Sequence, residues 1–147
     1  MNDKYNLNRF VIAQEGIFDK ALSEIKKGSK HSHWIWFIFP QILGLGHSYL
    51  STFYGIKNLE EASLYLQHPI LGARLIEITT ELLRFEGKNA SSIMGSPDDY
   101  KLKSCMTLFS LVDKSDDSVF RKILKKYFFD DKDARTLQII MRINKQS

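Results

Sequence analysis

Apolar residues recur at steps of three and four along most of the chain, which is the spacing of one face of an α-helix. The first stripe predicts a helix from about Leu7 to Lys27, ended by Gly28 in the usual C-terminal position. Gln14 falls on this stripe, so its amide must find a hydrogen-bond partner wherever it is buried. The apolar members of the stripe are Leu7, Phe10, Val11, Phe18, Ala21, Leu22 and Ile25.

Helix-start signals divide the middle of the chain. Asn58, followed by two glutamates, predicts a cap and a short helix over Leu59–Gln67. Pro69 then serves as the first residue of the next helix, whose apolar line runs towards Gly87. Near the start of that helix, Gly72 permits the close approach of a neighbouring backbone or of a ligand.

Acidic residues mark three more helix starts in the last third of the chain. Ser96-Pro97-Asp98-Asp99 supplies a cap, a first-position proline and two acids in the first turn. Asp116-Asp117 and Asp131-Lys132-Asp133 open the last two helices. Because no alternating β pattern, repeat or linker occurs, the sequence predicts an all-α fold. We expect a compact single-domain bundle of about six or seven helices over residues 1–147.

The segment His31–Ser48 concentrates the aromatic residues. No Asp, Glu, Lys or Arg occurs from His31 to Ile56 in a chain that is 26% charged, so this run is either core or the apolar wall of a pocket. A membrane span is excluded, because the continuous apolar part, Trp34–Phe39, is far shorter than the roughly 20 residues that a bilayer requires. Polar side chains inside such a run need partners in protein, water or a ligand. These side chains are His33, Gln41, His47, Ser48 and Tyr54.

Composition narrows the class of ligand and the compartment. The formal net charge of +4 favours an anionic ligand, but the lysines are too scattered among acids to predict binding of duplex nucleic acid. A single cysteine, Cys105, excludes an internal disulfide and suits a reducing cytoplasm. The N-terminus lacks the apolar region of a signal peptide. We therefore expect a soluble cytoplasmic protein that does not enter a membrane.

Two tryptophans and a pair of glycines each have two interpretations, one as part of a ligand site and one as ordinary structure. Trp34 and Trp36 stack on a flat ligand or simply pack in the core. Gly44-Leu45-Gly46 either cradles an anion with its amides or forms an ordinary turn. His31-x-His33 has no Cys or acidic partner at a suitable spacing, so neither a metal site nor a cofactor is expected.

Cationic residues near helix starts supply candidate phosphate contacts. Arg74 lies beside Gly72 at the edge of its helix, where its guanidinium either reaches a pocket and binds phosphate or remains on the surface. Lys101 and Lys103 follow Asp98 and Asp99 on a helix whose N-terminus favours anions. That arrangement either holds a phosphate or a sugar, or the acids merely cap the helix.

Six strings carry a family resemblance that extends over nearly the whole chain. The most specific are HWIWFIFPQ at residues 33–41 and SPDDYKLKSCMTLF at residues 96–109. In these strings the chain resembles an uncharacterised bacterial family, domain-of-unknown-function family 1810, whose members sometimes carry the misnomer calpastatin. The resemblance implies a small all-helical domain with no established activity.

A more distant similarity is to the NADAR class of ADP-ribose-processing proteins. The corresponding positions are Gln14, Gly72-x-Arg74 and Lys101–Phe109. This similarity implies N-glycosidic chemistry on an ADP-ribosyl or nucleotide-like substrate.

Two functional hypotheses follow, an N-glycosidase and a non-catalytic ligand-binding or protein-interaction domain. Cleavage of an N-glycosidic bond needs a carboxylate, anion contacts and a flat stacking wall. The catalytic candidates are therefore His33, Glu61, Asp98 and Lys101. The ligand-binding candidates are Gln14, Trp34, Trp36, Gln41, Ser48, Arg74 and Lys103. Convergence of these side chains on one cavity favours a ligand site, and scatter favours structural roles. The sequence predicts neither the substrate nor the oligomeric state.

Overall fold

Helices account for the apolar stripes of the sequence. The computed structural model describes residues 3–146, which form ten α-helices and a 3₁₀ helix at Leu82–Arg84. In these residues β-pairing is limited to an isolated parallel bridge between Ile42 and Ile56, so the all-α prediction is confirmed. The α-helices are α1 (Asn8–Gln14), α2 (Phe18–Lys26), α3 (Ile35–Ile38), α4 (Tyr49–Phe53), α5 (Leu59–Gln67), α6 (Leu71–Glu81), α7 (Ala90–Met94), α8 (Asp98–Ser110), α9 (Val119–Phe128) and α10 (Ala134–Gln146).

Helix α8 is the centre of the core. Residues 104–110 are buried without interruption, and a helix buried on all sides must be surrounded by other elements. Its neighbours are α3, α5, α7, α9 and α10. The Phe109 ring lies 5.6 Å from the rings of both Tyr65 and Phe120, which joins α8 to α5 and α9. The first turn of α8 stays at the surface, where it is free to border a site.

The predicted first helix is wrong in one respect, because it is two helices. The chain leaves α1 at Glu15 in an extended conformation, and Gly16 adopts a left-handed φ of +71° before α2 begins. Glycine takes this conformation without the penalty that a side chain brings. The apolar stripe continues through the break, and for that reason periodicity alone did not reveal it. Gly28, with φ +75°, follows α2 as predicted.

The helix count was also too low, and three predicted starts are displaced. Ser96 does not cap α8, which begins at Asp98 with Pro97 before it. Helix α9 begins after Ser118, whose hydroxyl accepts a hydrogen bond from Arg121 N, and not at Asp116-Asp117. The five-residue helices α4 and α7 were not predicted, since a single turn leaves little periodic signal.

Two helix starts follow their sequence signals, and a third is displaced by two residues. Asn58 caps α5, accepting a hydrogen bond from Glu61 N at 2.9 Å, and Asp133 accepts one from Thr136 N at 3.0 Å at the start of α10. Helix α6 starts at Leu71, two residues after the predicted proline. A Cβ on Gly72 would lie 1.9 Å from the Leu66 carbonyl oxygen, so this glycine admits a neighbouring backbone.

The aromatic segment forms a wall of the core. Trp34, which is 1% exposed, Ile35 and residues 38–42 are buried, whereas His31, His33 and the 47–48 end are exposed. The prediction of burial therefore holds for the middle of the segment and not for its ends. Among the described residues no helix has the length and apolar character needed to span a bilayer.

Candidate functional site

Two adjoining clefts open on either side of Trp36 and Lys101. The first, the His33 cleft, has a volume of about 250 Å³ and is lined by His33, Trp34, Trp36, Leu50, Asp98 and Lys101, among others. The second, the Gln41 cleft, has a volume of about 280 Å³ and includes Trp36, Gln41, Tyr100, Lys101, Asp133 and Arg135 in its lining. Since the same two side chains border both clefts, they form a partition between them.

Asp98 lies between two lysines at this partition. Lys30 Nζ is 2.7 Å from Asp98 Oδ2, and Lys101 Nζ is 3.3 Å from Asp98 Oδ1. The Lys101 ammonium also lies 5.0 Å from the centroid of the Trp36 ring, and that of Lys30 lies 4.7 Å from the Trp34 ring. Two cations around one carboxylate leave this cluster with an excess positive charge, which favours an anionic ligand.

A buried carboxylate, Glu24, holds the loop that carries His33. It accepts hydrogen bonds from His31 N (2.8 Å), Ser32 N (3.0 Å), Ser32 Oγ (2.7 Å) and Trp34 Nε1 (3.0 Å). Burial opposes the ionisation of Glu24, but these hydrogen bonds outweigh it and lower the pKa of Glu24 to about 2. The path of the chain into α3 is thereby fixed by one ionised side chain.

The Gln41 cleft is built by the isolated bridge and by the start of α10. Ile56 N donates to Gln41 O at 2.9 Å, which fixes the backbone from which the Gln41 side chain extends. Across the cleft, Arg135 donates weakly to Gly44 O at 3.3 Å, and Asp133 caps α10. The predicted glycine loop at Gly44 thus contacts an arginine through its backbone carbonyl.

Gln14 and Arg74 contact each other outside the lining of both clefts. Arg74 Nη1 donates to Gln14 Oε1 at 3.2 Å, and its guanidinium lies 5.3 Å from the centre of the Phe18 ring. Gln14 Nε2 donates to Phe37 O at 2.8 Å and to Tyr65 Oη at 3.1 Å. The amide of Gln14 therefore has the partners that its position demanded, and all of them are protein groups.

Glu61 is fully buried in an ion pair with Arg9. Arg9 Nη2 lies 2.7 Å from Glu61 Oε2, and the same guanidinium donates to Phe53 O at 2.8 Å. Removing either charge from such a pair would leave the other buried without compensation. Glu61 lines neither cleft, and its contacts tie α5 to α1 and to the end of α4.

Ser48 and Lys103 also lie outside the lining of the two clefts. Ser48 caps α4, its hydroxyl accepting a hydrogen bond from Ser51 N at 3.1 Å. Lys103 pairs with Asp131 at 3.1 Å across the surface. The clefts thus bring together six of the candidates proposed from sequence, namely His33, Trp34, Trp36, Gln41, Asp98 and Lys101.

Sequence reasoning missed four side chains that shape the clefts. Lys30 ends the basic run Lys26-Lys27-Gly28-Ser29-Lys30, and its position directly before the uncharged stretch was a signal that could have been used. Asp133 was recognised only as a helix start. Glu24 and Arg135 stand among ordinary helical charges, and only the fold shows what they contact.

Metal-binding and thiol chemistry have little support in the described residues. Between residues 3 and 146, no three His, Cys, Asp or Glu side chains are grouped so that they could hold a metal ion. Cys105 is buried, and that burial raises the pKa of its thiol well above the usual range.

Comparison with known proteins gives a family and a fold. The family model described as "Protein of unknown function (DUF1810)" matches residues 4–140. The crystal structure of the conserved hypothetical protein Rv1873 from Mycobacterium tuberculosis is similar, with a TM-score of 0.91 and 42% sequence identity. That match covers 95% of this chain and 99% of the other. No curated protein matches the chain.

Neither match shows the distant similarity to the NADAR class. The family match extends over both specific strings and over every residue that lines the two clefts. The chain belongs to the DUF1810 family of proteins of unknown function.

Proposed function

We propose that the two clefts form one site for an anionic, nucleotide-like ligand such as ADP-ribose, and that the protein hydrolyses an N-glycosidic bond in it. The observation that carries this proposal is the partition of Trp36 and Lys101, which borders both clefts. An aromatic ring and an ammonium group side by side match the base and the phosphate of a nucleotide.

The size of the clefts supports a ligand larger than an ion. Each cleft is slightly smaller than the roughly 300–1,000 Å³ of ordinary small-molecule sites, and the two side by side fall within that range. Trp36 is half-buried, so one part of its ring is held by the protein while another borders the clefts. A ligand that spans the partition would place its anionic group near Lys101.

Asp98 is the carboxylate of the proposed chemistry. In hydrolysis, water adds to the anomeric carbon, the C–N bond breaks with its electron pair passing to nitrogen, and the proton lost by the water ends on that nitrogen. The sugar carbon becomes positive in the transition state, and a nearby carboxylate stabilises it. His33 lines the same cleft as Asp98 and is exposed, so we assign it the transfer of the proton.

Of the positions that carry the distant resemblance to the NADAR class, Lys101 lines both clefts whereas Gln14 and Arg74 line neither, so the choice of substrate rests on the aromatic ring and the cation of the partition. In the alternative, a non-catalytic ligand-binding domain, the same cleft binds the ligand without turnover. One observation favours that alternative: the two lysines around Asp98 already compensate its charge.

Binding is tested by thermal melting with ADP-ribose. At ten times the Kd, a ligand stabilises the protein by about 1.4 kcal/mol, or about 3–5 °C for a chain of this size. Lys101→Ala should abolish the shift. The matched control is Lys103→Ala, two residues along the same helix and outside the clefts, which should retain it. Equal shifts in both variants would remove Lys101 from the site.

Turnover is tested by mass spectrometry after incubation with NAD⁺, free ADP-ribosyl metabolites, and ADP-ribosylated protein and nucleic acid. We expect release of the base or of ADP-ribose by the wild type and loss of that release in Asp98→Asn. Binding without release from any of these substrates would refute the hydrolase and establish the non-catalytic alternative. No melting shift with ADP-ribose at millimolar concentration would refute the site itself.

A further inference from the structure

Gln41 has an unused hydrogen-bond acceptor in the Gln41 cleft. The residue is 1% exposed, and its amide nitrogen donates to Phe39 O at 3.3 Å. Within residues 3–146 its carboxamide oxygen receives no hydrogen bond. Turning the amide over would set two carbonyl oxygens against each other, so Phe39 fixes the oxygen as the free end. Among the described residues the buried side-chain atom without a partner is Thr79 Oγ1, so the Gln41 oxygen is open to the cleft that it borders and a donor of a ligand can reach it.

Asp133 lines the same cleft, and only one of its two carboxylate oxygens accepts hydrogen bonds from the described residues. Asp133 Oδ2 accepts hydrogen bonds from Ser104 Oγ (3.1 Å), Thr136 N (3.0 Å) and Thr136 Oγ1 (2.6 Å). Its other oxygen, Oδ1, receives none from the described part of the chain. One cleft therefore offers two acceptors, one neutral and one anionic, held by separate elements.

The charges of the cleft decide which donors it takes. Lys101 and Arg135 line it together with Asp133, so positive charges outnumber negative ones and a cationic donor is disfavoured. Neutral donors remain, and the commonest pair of neutral donors beside a phosphate is the hydroxyl groups of a sugar. Lys101 and Arg135 are placed to meet the phosphate.

We propose that the Gln41 cleft is a ribose subsite, in which Gln41 and Asp133 accept hydrogen bonds from the sugar hydroxyls and Gln41 selects ribose over 2′-deoxyribose. This inference rests on the proposed nucleotide-binding function and specifies one end of its ligand. The bridge to Ile56 holds the Gln41 backbone, so the selectivity comes from a preformed acceptor.

Titration calorimetry with AMP, 2′-deoxy-AMP, IMP and ADP-ribose tests the subsite. A bound 2′-deoxy nucleotide would cover the Gln41 oxygen without donating to it, and an acceptor left unpaired in this way weakens binding by about tenfold, so the wild type should bind AMP about tenfold more tightly than 2′-deoxy-AMP. Gln41→Met, which keeps the length of the side chain, should bind both with the weaker affinity. Gln138→Met places the same substitution on the exposed face of α10 and should behave as the wild type. IMP should bind as AMP does, because the base amino group is not the donor.

The outcomes separate this inference from the proposed function. Equal binding of AMP and 2′-deoxy-AMP by the wild type would overturn the ribose subsite and leave the nucleotide site standing. Weak binding of IMP with equal binding of the other two nucleotides would assign the Gln41 contact to the base and also overturn it. Binding of none of the four ligands would overturn both proposals. If Gln41→Met fails to fold, the ratio of the two wild-type affinities decides alone.

Discussion

We expect the free energy of unfolding to depend on pH at acidic pH because of the carboxylate of Glu24. Its pKa falls from the ordinary value of 4.5 to about 2 in the folded protein because of four hydrogen bonds that outweigh burial. One pKa unit corresponds to about 1.4 kcal/mol, so ionised Glu24 contributes about 3 kcal/mol to the free energy of unfolding. This amount is a large part of the stability of an ordinary domain.

The sign follows from proton uptake. Between pH 4.5 and about 2 the unfolded chain holds the Glu24 proton and the folded chain does not, so the free energy of unfolding rises with pH across that interval. The contribution is complete above pH 4.5 and is lost as the pH falls towards 2.

The perturbation is Glu24→Gln, measured by urea unfolding at several pH values between 7 and 2.5. The glutamine keeps the size of the side chain and an acceptor oxygen but removes the charge. We expect a loss of about 3 kcal/mol at pH 7 that shrinks steadily below pH 4.5. Glu77→Gln on the exposed face of α6 is the matched control and should stay within about 0.5 kcal/mol of the wild type at every pH. A Glu24→Gln deficit that does not change with pH, or no deficit at pH 7, would refute the reasoning.

Four further substitutions test the packing and the two lysines around Asp98. Trp34→Ala should lower the free energy of unfolding by about 3–5 kcal/mol, since the ring is 1% exposed, and a near-neutral thermal melt would contradict that burial. Gly72→Ala should cost at least about 3 kcal/mol in urea unfolding, because the new Cβ would lie 1.9 Å from Leu66 O. Lys30→Met should cost about 3–5 kcal/mol and Lys101→Met less than about 1 kcal/mol; equal losses would show that both lysines are structural.

The sequence correctly predicted those helix starts and ends that depend on residues a few positions away along the chain. Asn58 and Asp133 mark helix starts because their side chains bond to amides three residues away. Gly28 marks an end because its left-handed φ is a local property. The break at Gly16 could not be predicted from the sequence, because the apolar stripes before and after it face the same core and keep the same spacing.

Part of the candidate site was also predictable, because some of its residues are close together along the chain. His33, Trp36 and Gln41 lie in one short segment, so their closeness follows from the chain itself. Asp98 and Lys101 come roughly sixty residues later, and only the packing of α8 against α3 brings them to the same partition. Sequence could not distinguish Asp98 from Glu61, because the partner that buries Glu61 is Arg9, far away along the chain.

The two lysines around Asp98 have different surroundings, and this difference connects the fold to the proposed site. The side chain of Lys30 is 5% exposed, lies 2.7 Å from Asp98 and donates to Ser32 O at 2.6 Å, so it has no freedom to change partners. That of Lys101 is 29% exposed and lies 3.3 Å from the same carboxylate. A buried pair is costly to break, whereas a partly exposed one is held weakly. Lys30 therefore keeps Asp98 in place, and in the proposed site we expect Lys101 to be the cation that exchanges the carboxylate for the phosphate of a ligand without loss of the fold.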